Sequence, residues 1–101
     1  MKSVKQLMQN EGRVYVYLSS HNICKRFFAD AEAEGVVFCD GTKPSQKQAA
    51  NIIALNHDGT MNYVGTNGRI AFGSGADRIG NARLIRVDYE RYLADDSYNP
   101  D

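Results

Sequence analysis

ANIIALNHDGTMNYVGTNGRIAF, residues 50–72, decides the predicted fold, because two turn signals divide it into three largely apolar segments. Asp58-Gly59 and Asn67-Gly68 are typical of tight type I′ hairpin turns, which need positive φ at both central positions. The pattern therefore predicts a β-meander, three strands that pair in sequence order. The predicted strands are residues 50–57, 60–65 and 69–72.

Helix and strand patterns alternate before this stretch. Apolar residues recur at helical spacing behind Ser20, and Gly35 is placed to end that helix. Residues 13–18, which precede this helix, alternate between Val or Leu and Arg or Tyr, the pattern of a half-buried strand. The elements predicted here are a short helix capped by Ser3, a strand over residues 13–18, a long helix over 20–34 that packs Ile23, Phe27 and Ala31 on the sheet, and a strand over 36–39 that is either covered on both faces or interior.

After the meander, residues 73–80 form a predicted flexible excursion and residues 82–88 a closing strand. One helical turn follows, and an acidic tail over 94–101 is expected to fray. The whole pattern predicts a single α+β domain over residues 1–93. Its sheet is predominantly antiparallel, formed by the β-meander plus the closing strand, with one long helix packed on a face.

Composition limits the function classes. The chain has 101 residues, 43% of them hydrophobic, and 12 basic side chains against 12 acidic ones. Domains commonly contain about 100–150 residues, so two independent cores are excluded. No apolar run approaches the roughly 18 residues of a membrane span, and no signal peptide is visible. We therefore expect a cytoplasmic protein with no membrane contact, in which Cys24 and Cys39 stay reduced as small buried side chains.

The charge is unevenly distributed although its sum is zero. Residues 41–86 contain six basic side chains and two acidic ones, and residues 87–101 contain one basic side chain and five acidic ones. Arginines among glycine-rich loops are typical of an anion site, and tyrosines on one strand face can stack on a base. The alternative is that the arginines pair with surface acids and the tyrosines reflect strand propensity. The candidate ligand-binding residues are Lys43, Arg69, Arg83 and Arg86, with Asn67, Tyr15 and Tyr17.

Catalytic and metal patterns are weak. Cys39 and His57 are not spaced as a nucleophile and base, and neither His57 nor His21 has a second ligand at helical spacing. The glycines around Ser74 lack the lysine of a phosphate loop. The sequence pI near 6.7 disfavours binding to duplex DNA. We therefore expect no catalytic residues, no metal and no cofactor.

Three motifs carry a resemblance. EGVVFCDGTKP (34–44), YVG (63–65) and IRVDYERY (85–92) resemble an EGxxFxDGxKP … YVG … IRVDYExY layout. It occurs in small uncharacterised proteins of Gram-positive bacteria and their prophages or mobile elements. The likeness covers about residues 20–92, and the chain departs from it at Cys39 and in the excursion that begins at Gly73. The resemblance implies a setting in which small proteins bind a host or defence component.

The leading hypothesis is a non-enzymatic binding protein of phage or mobile-element origin that antagonises a bacterial defence component. It would sequester a nucleotide-type signal or block a protein target, and a small homo-oligomer is expected. One alternative is a phage structural or assembly accessory protein. Another is a small hydrolytic or nucleic-acid-modifying enzyme.

Overall fold

Six strands, four α-helices and one 3-10 helix make up the part of the chain that the computed structural model describes, residues 3–98 and 100. The strands are β1 Arg13–Tyr17, β2 Val37–Phe38, β3 Ile52–Leu55, β4 Thr60–Tyr63, β5 Arg78–Ile79 and β6 Ala82–Asp88. The helices are α1 Val4–Leu7, α2 His21–Ala33, α3 Thr66–Gly73 and α4 Tyr89–Ala94, and the 3-10 helix is Pro44–Gln46. The α+β class and the order of the first elements are as predicted.

The strands form one mixed sheet in the order β2-β4-β3-β1-β6-β5. β1 runs parallel to β6, and β2 runs parallel to β4. The other three neighbouring pairs are antiparallel. The sheet is therefore mixed and matches the prediction of a predominantly antiparallel sheet only in part, because the closing strand β6 returns beside β1 in the same direction. The prediction of one long helix is also too simple, since α2 is accompanied by several short helices.

The predicted third strand of the meander, residues 69–72, is wrong: this segment belongs to helix α3. Gly68 lies in the first turn of α3 and has no positive φ, so Asn67-Gly68 is not a hairpin turn. A Cβ at Gly68 would lie 2.6 Å from Val64 Cγ1 and 2.7 Å from Tyr15 Oη. Glycine is therefore required here because the helix backbone lies directly on β1.

Helices cover both faces of the sheet. On one face, Phe27 and Ala31 of α2 are fully buried against Val16 and Ile53, as predicted for the two helix residues. Ile23 is only partly buried, and Cys24 and Phe28 take its place in the core. On the other face, α3 packs on a second, smaller cluster: Tyr15, Ile52, Ala54, Val64 and Leu84.

Several local predictions are confirmed. Ser3 caps α1 in a capping box, and Ser20 accepts a hydrogen bond from the Ile23 N–H at the start of α2. Gly35 follows α2 with φ of 80°. The strand predicted over residues 36–39 is present but shorter: β2 has two residues and lies at the sheet edge, so an interior position is wrong. Cys39 is consequently exposed rather than buried, and both cysteines are free.

Part of the predicted tail, residues 94–101, packs back against the domain. The Asp88 N–H donates to Tyr98 Oη at 2.8 Å, and the Arg91 guanidinium carbon lies 5.1 Å from the centre of the Tyr98 ring. Residues 99 and 101 lie outside the described residues, so a fraying tail stays a prediction. No helix within the described residues has the length and apolar character needed to cross a bilayer.

Three carboxylates that accept hydrogen bonds from loop or turn residues predict an acid sensitivity of the fold. Hydrogen bonds lower the pKa of each group. The Ser45 N–H donates to Glu32, and Lys47 and then Thr42 donate to Asp40. The Thr60 hydroxyl and N–H donate to Asp58. Since folding lowers these pKa values, the ionised groups stabilise the fold above the unfolded values of 3.8 for Asp and 4.5 for Glu. Stability is lost as the pH falls below that range.

We expect Asp40→Asn to reduce this loss. The Asn variant cannot ionise, so its melting temperature falls less between neutral and acid pH than that of the unaltered protein. Glu11→Gln, at an exposed loop position, is the matched control and leaves the pH profile unchanged. Identical profiles for Asp40→Asn and the unaltered protein would contradict the assignment.

Candidate ligand-binding site

The β5–β6 hairpin places two arginines side by side. Arg78 is directly opposite Arg83 in the antiparallel register. The two-residue loop between the strands has Gly80 at its first position with φ of 59°, as a type II′ turn requires. Like charges directly opposite each other destabilise a strand pair. This pairing therefore carries a cost that an anion would remove.

A concavity of about 500 Å³ lies at this hairpin. Its lining residues are Asp77, Arg78, Arg83, Leu84 and Arg86. Both Arg78 and Arg83 are exposed. The ion pairs found within the described ranges, Arg26–Asp30 and Lys47–Asp40, involve none of the three arginines. We call this surface the arginine concavity.

Arg86 forms the boundary of the arginine concavity toward α3. Its Nη2 donates to the carbonyl oxygens of Ala71 and Phe72, both at 3.1 Å, which holds the C-terminal end of the helix. Its guanidinium carbon lies 5.3 Å from the centre of the Phe72 ring. Arginine is a favourable donor to helix C-terminal carbonyls and stacks on aromatic faces. Arg86 is therefore fixed in position by α3.

A second cavity, of about 590 Å³, shares Arg86 as a wall. It lies beyond the carboxyl ends of the parallel strands β1 and β6, a location at which α/β sheets commonly bind ligands. Its aromatic walls include Tyr17 and Phe72, whose ring centres are 6.2 Å apart with planes at 25°. The full lining is Tyr17, Phe72, Arg86, Val87, Asp88, Arg91, Asp95, Ser97 and Tyr98. We call this cavity the aromatic cavity.

Asp88 is held at the floor of the aromatic cavity by its neighbours. It is the register partner of Tyr17, so the two residues end adjacent strands. Its Oδ1 accepts a hydrogen bond from the Arg91 N–H at 3.4 Å as the N-cap of α4. The long distance leaves the carboxylate with capacity to accept further hydrogen bonds. The cavity therefore combines aromatic faces with a fixed acceptor.

The structure brings together some of the seven candidate residues. Arg83 and Arg86 line the arginine concavity, and Arg86 and Tyr17 line the aromatic cavity. Tyr15 is 5% exposed beneath α3 and lines neither. The other three lie elsewhere: Arg69 Nη1 donates to Asn51 Oδ1 at 2.8 Å, Asn67 is exposed on α3, and Lys43 precedes the 3-10 helix near Glu32.

Sequence reasoning missed several lining residues. Arg78 was assigned to a flexible excursion, and Phe72 was assigned to a strand. A signal for Arg78 exists in the sequence, because Gly80-Asn81 is a two-residue hairpin signal between Ile79 and Ala82. No comparable local signal places Asp88 or Tyr98 beside Tyr17, since that contact depends on the parallel pairing of β1 with β6.

His57 is not hydrogen-bonded to either cysteine. Both ring nitrogens of His57 face backbone carbonyls, Nδ1 at 2.9 Å from the Met8 oxygen and Nε2 at 3.0 Å from the Gly12 oxygen. Burial raises the pKa of the Cys24 thiol, which lines an apolar groove of about 370 Å³ between α2 and the 3-10 helix. In residues 3–98 and 100, no three His, Cys, Asp or Glu side chains cluster as metal ligands.

No family model, no curated protein and no solved structure matches this chain. What the site binds must therefore be inferred from its own chemistry.

Proposed function

We propose that this protein binds a nucleotide-type ligand and holds it without converting it. One observation carries the proposal: Arg86 is a shared wall of the arginine concavity and the aromatic cavity. A single molecule with an anionic end and a planar ring would reach both by passing around the edge of β6 beyond β5, since strand alternation places Arg83 and Arg86 on opposite faces of β6. Phosphates and a base are the common biological ligand with these two parts.

The phosphate end is assigned to the arginine concavity. Guanidinium groups bind phosphate oxygens through paired charge-assisted hydrogen bonds. The Arg83 side chain has no hydrogen-bond or ion-pair partner within the described part of the chain, and Arg78 uses Nη2 on the Asn81 carbonyl at 2.9 Å. Phosphate between them would relieve their mutual repulsion. Ligand charge therefore stabilises the hairpin as well as the complex.

The base is assigned to the aromatic cavity. Its volume of about 590 Å³ falls within the range of about 300–1,000 Å³ that is usual for small-molecule sites. Tyr17, half-buried at the rim, offers a ring on which any base can stack, worth about 1–3 kcal/mol per base. The arginine concavity has three arginines against Asp77, whereas the aromatic cavity has Arg86 and Arg91 against Asp88 and Asp95, so phosphate is favoured in the arginine concavity and the ligand is oriented.

Sequestration is the biological role that we propose for this binding. The resemblance to proteins of bacterial mobile elements supports antagonism of a defence component that depends on a nucleotide signal. Capture of a signal needs affinity and no catalytic group, in agreement with the interpretation of the sequence. A homo-oligomeric state is part of the proposal and is tested by light scattering.

We expect nucleoside diphosphates or cyclic nucleotides to raise the melting temperature of the protein. A ligand at about 100 times its Kd stabilises the folded state by about 2.7 kcal/mol. For a domain of this size each kcal/mol raises Tm by about 4–8 °C. The measurement is thermal unfolding with GDP, ADP, UDP, cyclic GMP and inorganic pyrophosphate, followed by denaturation and recovery of the ligand.

Intact recovered nucleotide supports capture, whereas a chemically changed nucleotide would show an enzyme and overturn the non-catalytic proposal. If no nucleotide changes Tm at millimolar concentration, nucleotide binding is wrong. A shift with pyrophosphate as large as that with every nucleotide would contradict the assignment of the aromatic cavity.

A further inference from the structure

We infer that the ring end of the site selects guanine and that Asp88 reads the base. This inference rests on the proposed function and deepens it. It follows from the carboxylate of Asp88, which lines the aromatic cavity beside the donors Arg86, Arg91 and Ser97.

Asp88 is an acceptor at the place where the edge of a stacked base would lie. An ionised carboxylate offers acceptor lone pairs on two oxygens and no donor. Asp88 follows β6 beside Tyr17 and lines the same cavity as Phe72. A base stacked on these rings therefore presents its polar edge to a group that accepts only.

Guanine matches this acceptor better than the other bases. Its N1–H and N2–H₂ groups are two adjacent donors, which pair with a carboxylate as the two donors of an arginine do. Adenine and cytosine each place a ring acceptor beside their amino donor, and uracil places its one N–H between two carbonyls. Those acceptors would face carboxylate lone pairs, which is repulsive.

The backbone at Asp88 is held in place, and its side chain is oriented by a helix-capping contact. Its backbone N–H donates to Tyr98 Oη at 2.8 Å, and its Oδ1 accepts from the Arg91 N–H. A fixed acceptor discriminates better than a mobile one, because it cannot turn to suit a different base.

The test compares four diphosphates whose phosphate ends are identical, so that only the base varies: GDP, IDP, ADP and UDP. Titration calorimetry on the full chain is expected to show GDP binding about tenfold more tightly than ADP or UDP, since one bidentate pair discriminates by this order. IDP, which lacks the N2 amino group, is expected to bind with intermediate affinity.

Asp88→Asn is the matched variant, because Asn caps a helix as well as Asp does and the fold is retained. The Asn side chain has an amide donor beside a carbonyl acceptor, which matches the amino donor and the ring-nitrogen acceptor of adenine. We expect the variant to lose about tenfold in GDP affinity and to bind ADP more tightly. Glu11→Gln, with the same loss of charge at an exposed loop position, keeps the preference for GDP.

Equal affinity of the unaltered protein for GDP and ADP would overturn the inference and leave nucleotide binding standing. An unchanged guanine preference in Asp88→Asn would overturn the role of Asp88. Failure of all four diphosphates to bind would overturn the proposed function, and the inference with it.

Discussion

Replacing Arg78 and Arg83 together by alanine is expected to weaken GDP binding by at least about a hundredfold. Each charge-assisted hydrogen bond contributes about 1.5–3 kcal/mol, and about 1.4 kcal/mol is a factor of ten in Kd. The variant removes two such donors from the arginine concavity. Calorimetric titration with GDP measures the effect.

The same variant is expected to fold as well as the unaltered protein, or slightly better. Both side chains are exposed, and they lie opposite each other with like charge. Removing the pair therefore relieves repulsion at the cost of one hydrogen bond from Arg78 to the Asn81 carbonyl. Thermal unfolding without ligand separates this effect from the loss of binding.

Lys5→Ala with Lys25→Ala is the control for net charge, since both lysines are exposed on helices away from the hairpin. We expect it to bind GDP as the unaltered protein does. Equal weakening in both double variants would show nonspecific attraction by net charge, which would contradict the arginine concavity as a site.

Gly68→Ala is expected to destabilise the protein by about 2 kcal/mol, although alanine is the better helix former by about 1 kcal/mol. The added methyl group would overlap Val64 Cγ1 and Tyr15 Oη, both within 2.7 Å. Tyr15 is packed in the second cluster and cannot move without disturbing its neighbours. Helix α3 must therefore shift away from β1.

Gly73→Ala is the matched control in the same helix. Nothing lies within 4 Å of a Cβ at Gly73, and its φ is not positive. We expect a small gain in stability from helix propensity, of the order of tenths of a kcal/mol. Chemical denaturation of both variants measures the difference. A stabilising Gly68→Ala would show that α3 does not depend on close contact with β1.

Displacement of α3 is also expected to affect the site. Arg86 is held by the carbonyls of Ala71 and Phe72 at the end of this helix, and Phe72 is a wall of the aromatic cavity. Gly68→Ala should therefore weaken GDP binding, while Gly73→Ala should not. The stability of the helix and the geometry of the site are linked through Arg86.

The sequence predicted most of the α2 face of the fold. Ser20, Gly35 and the helical spacing of Phe27 and Ala31 are local signals that tertiary contacts do not override. Asn67-Gly68 misled the prediction because the dipeptide has two uses. Glycine permits a tight turn, but it also permits close approach of a helix to a strand, and only the position of Tyr15 decides between them.

Because residues 69–72 are predicted as a strand, the predicted fold lacks the helix α3 that covers one face of the sheet. With residues 69–72 placed in the sheet, the face that contains Tyr15 and Tyr17 was expected to be open to a base. In the structure α3 covers Tyr15 and leaves Tyr17 at the rim, against Phe72. The charge distribution along the chain pointed to Arg83 and Arg86, but sequence distance could not show that Arg69 and Lys43 lie apart from them.

The central claim is that the arginine concavity and the aromatic cavity form one site through Arg86. An NMR titration of the backbone amides with GDP, guanosine and pyrophosphate tests it most directly. We predict that GDP shifts the resonances of Arg78, Arg83, Tyr17 and Phe72 together, with one Kd, and more tightly than either fragment. Shifts confined to the hairpin, or two groups of resonances that titrate with different constants, would contradict a single site.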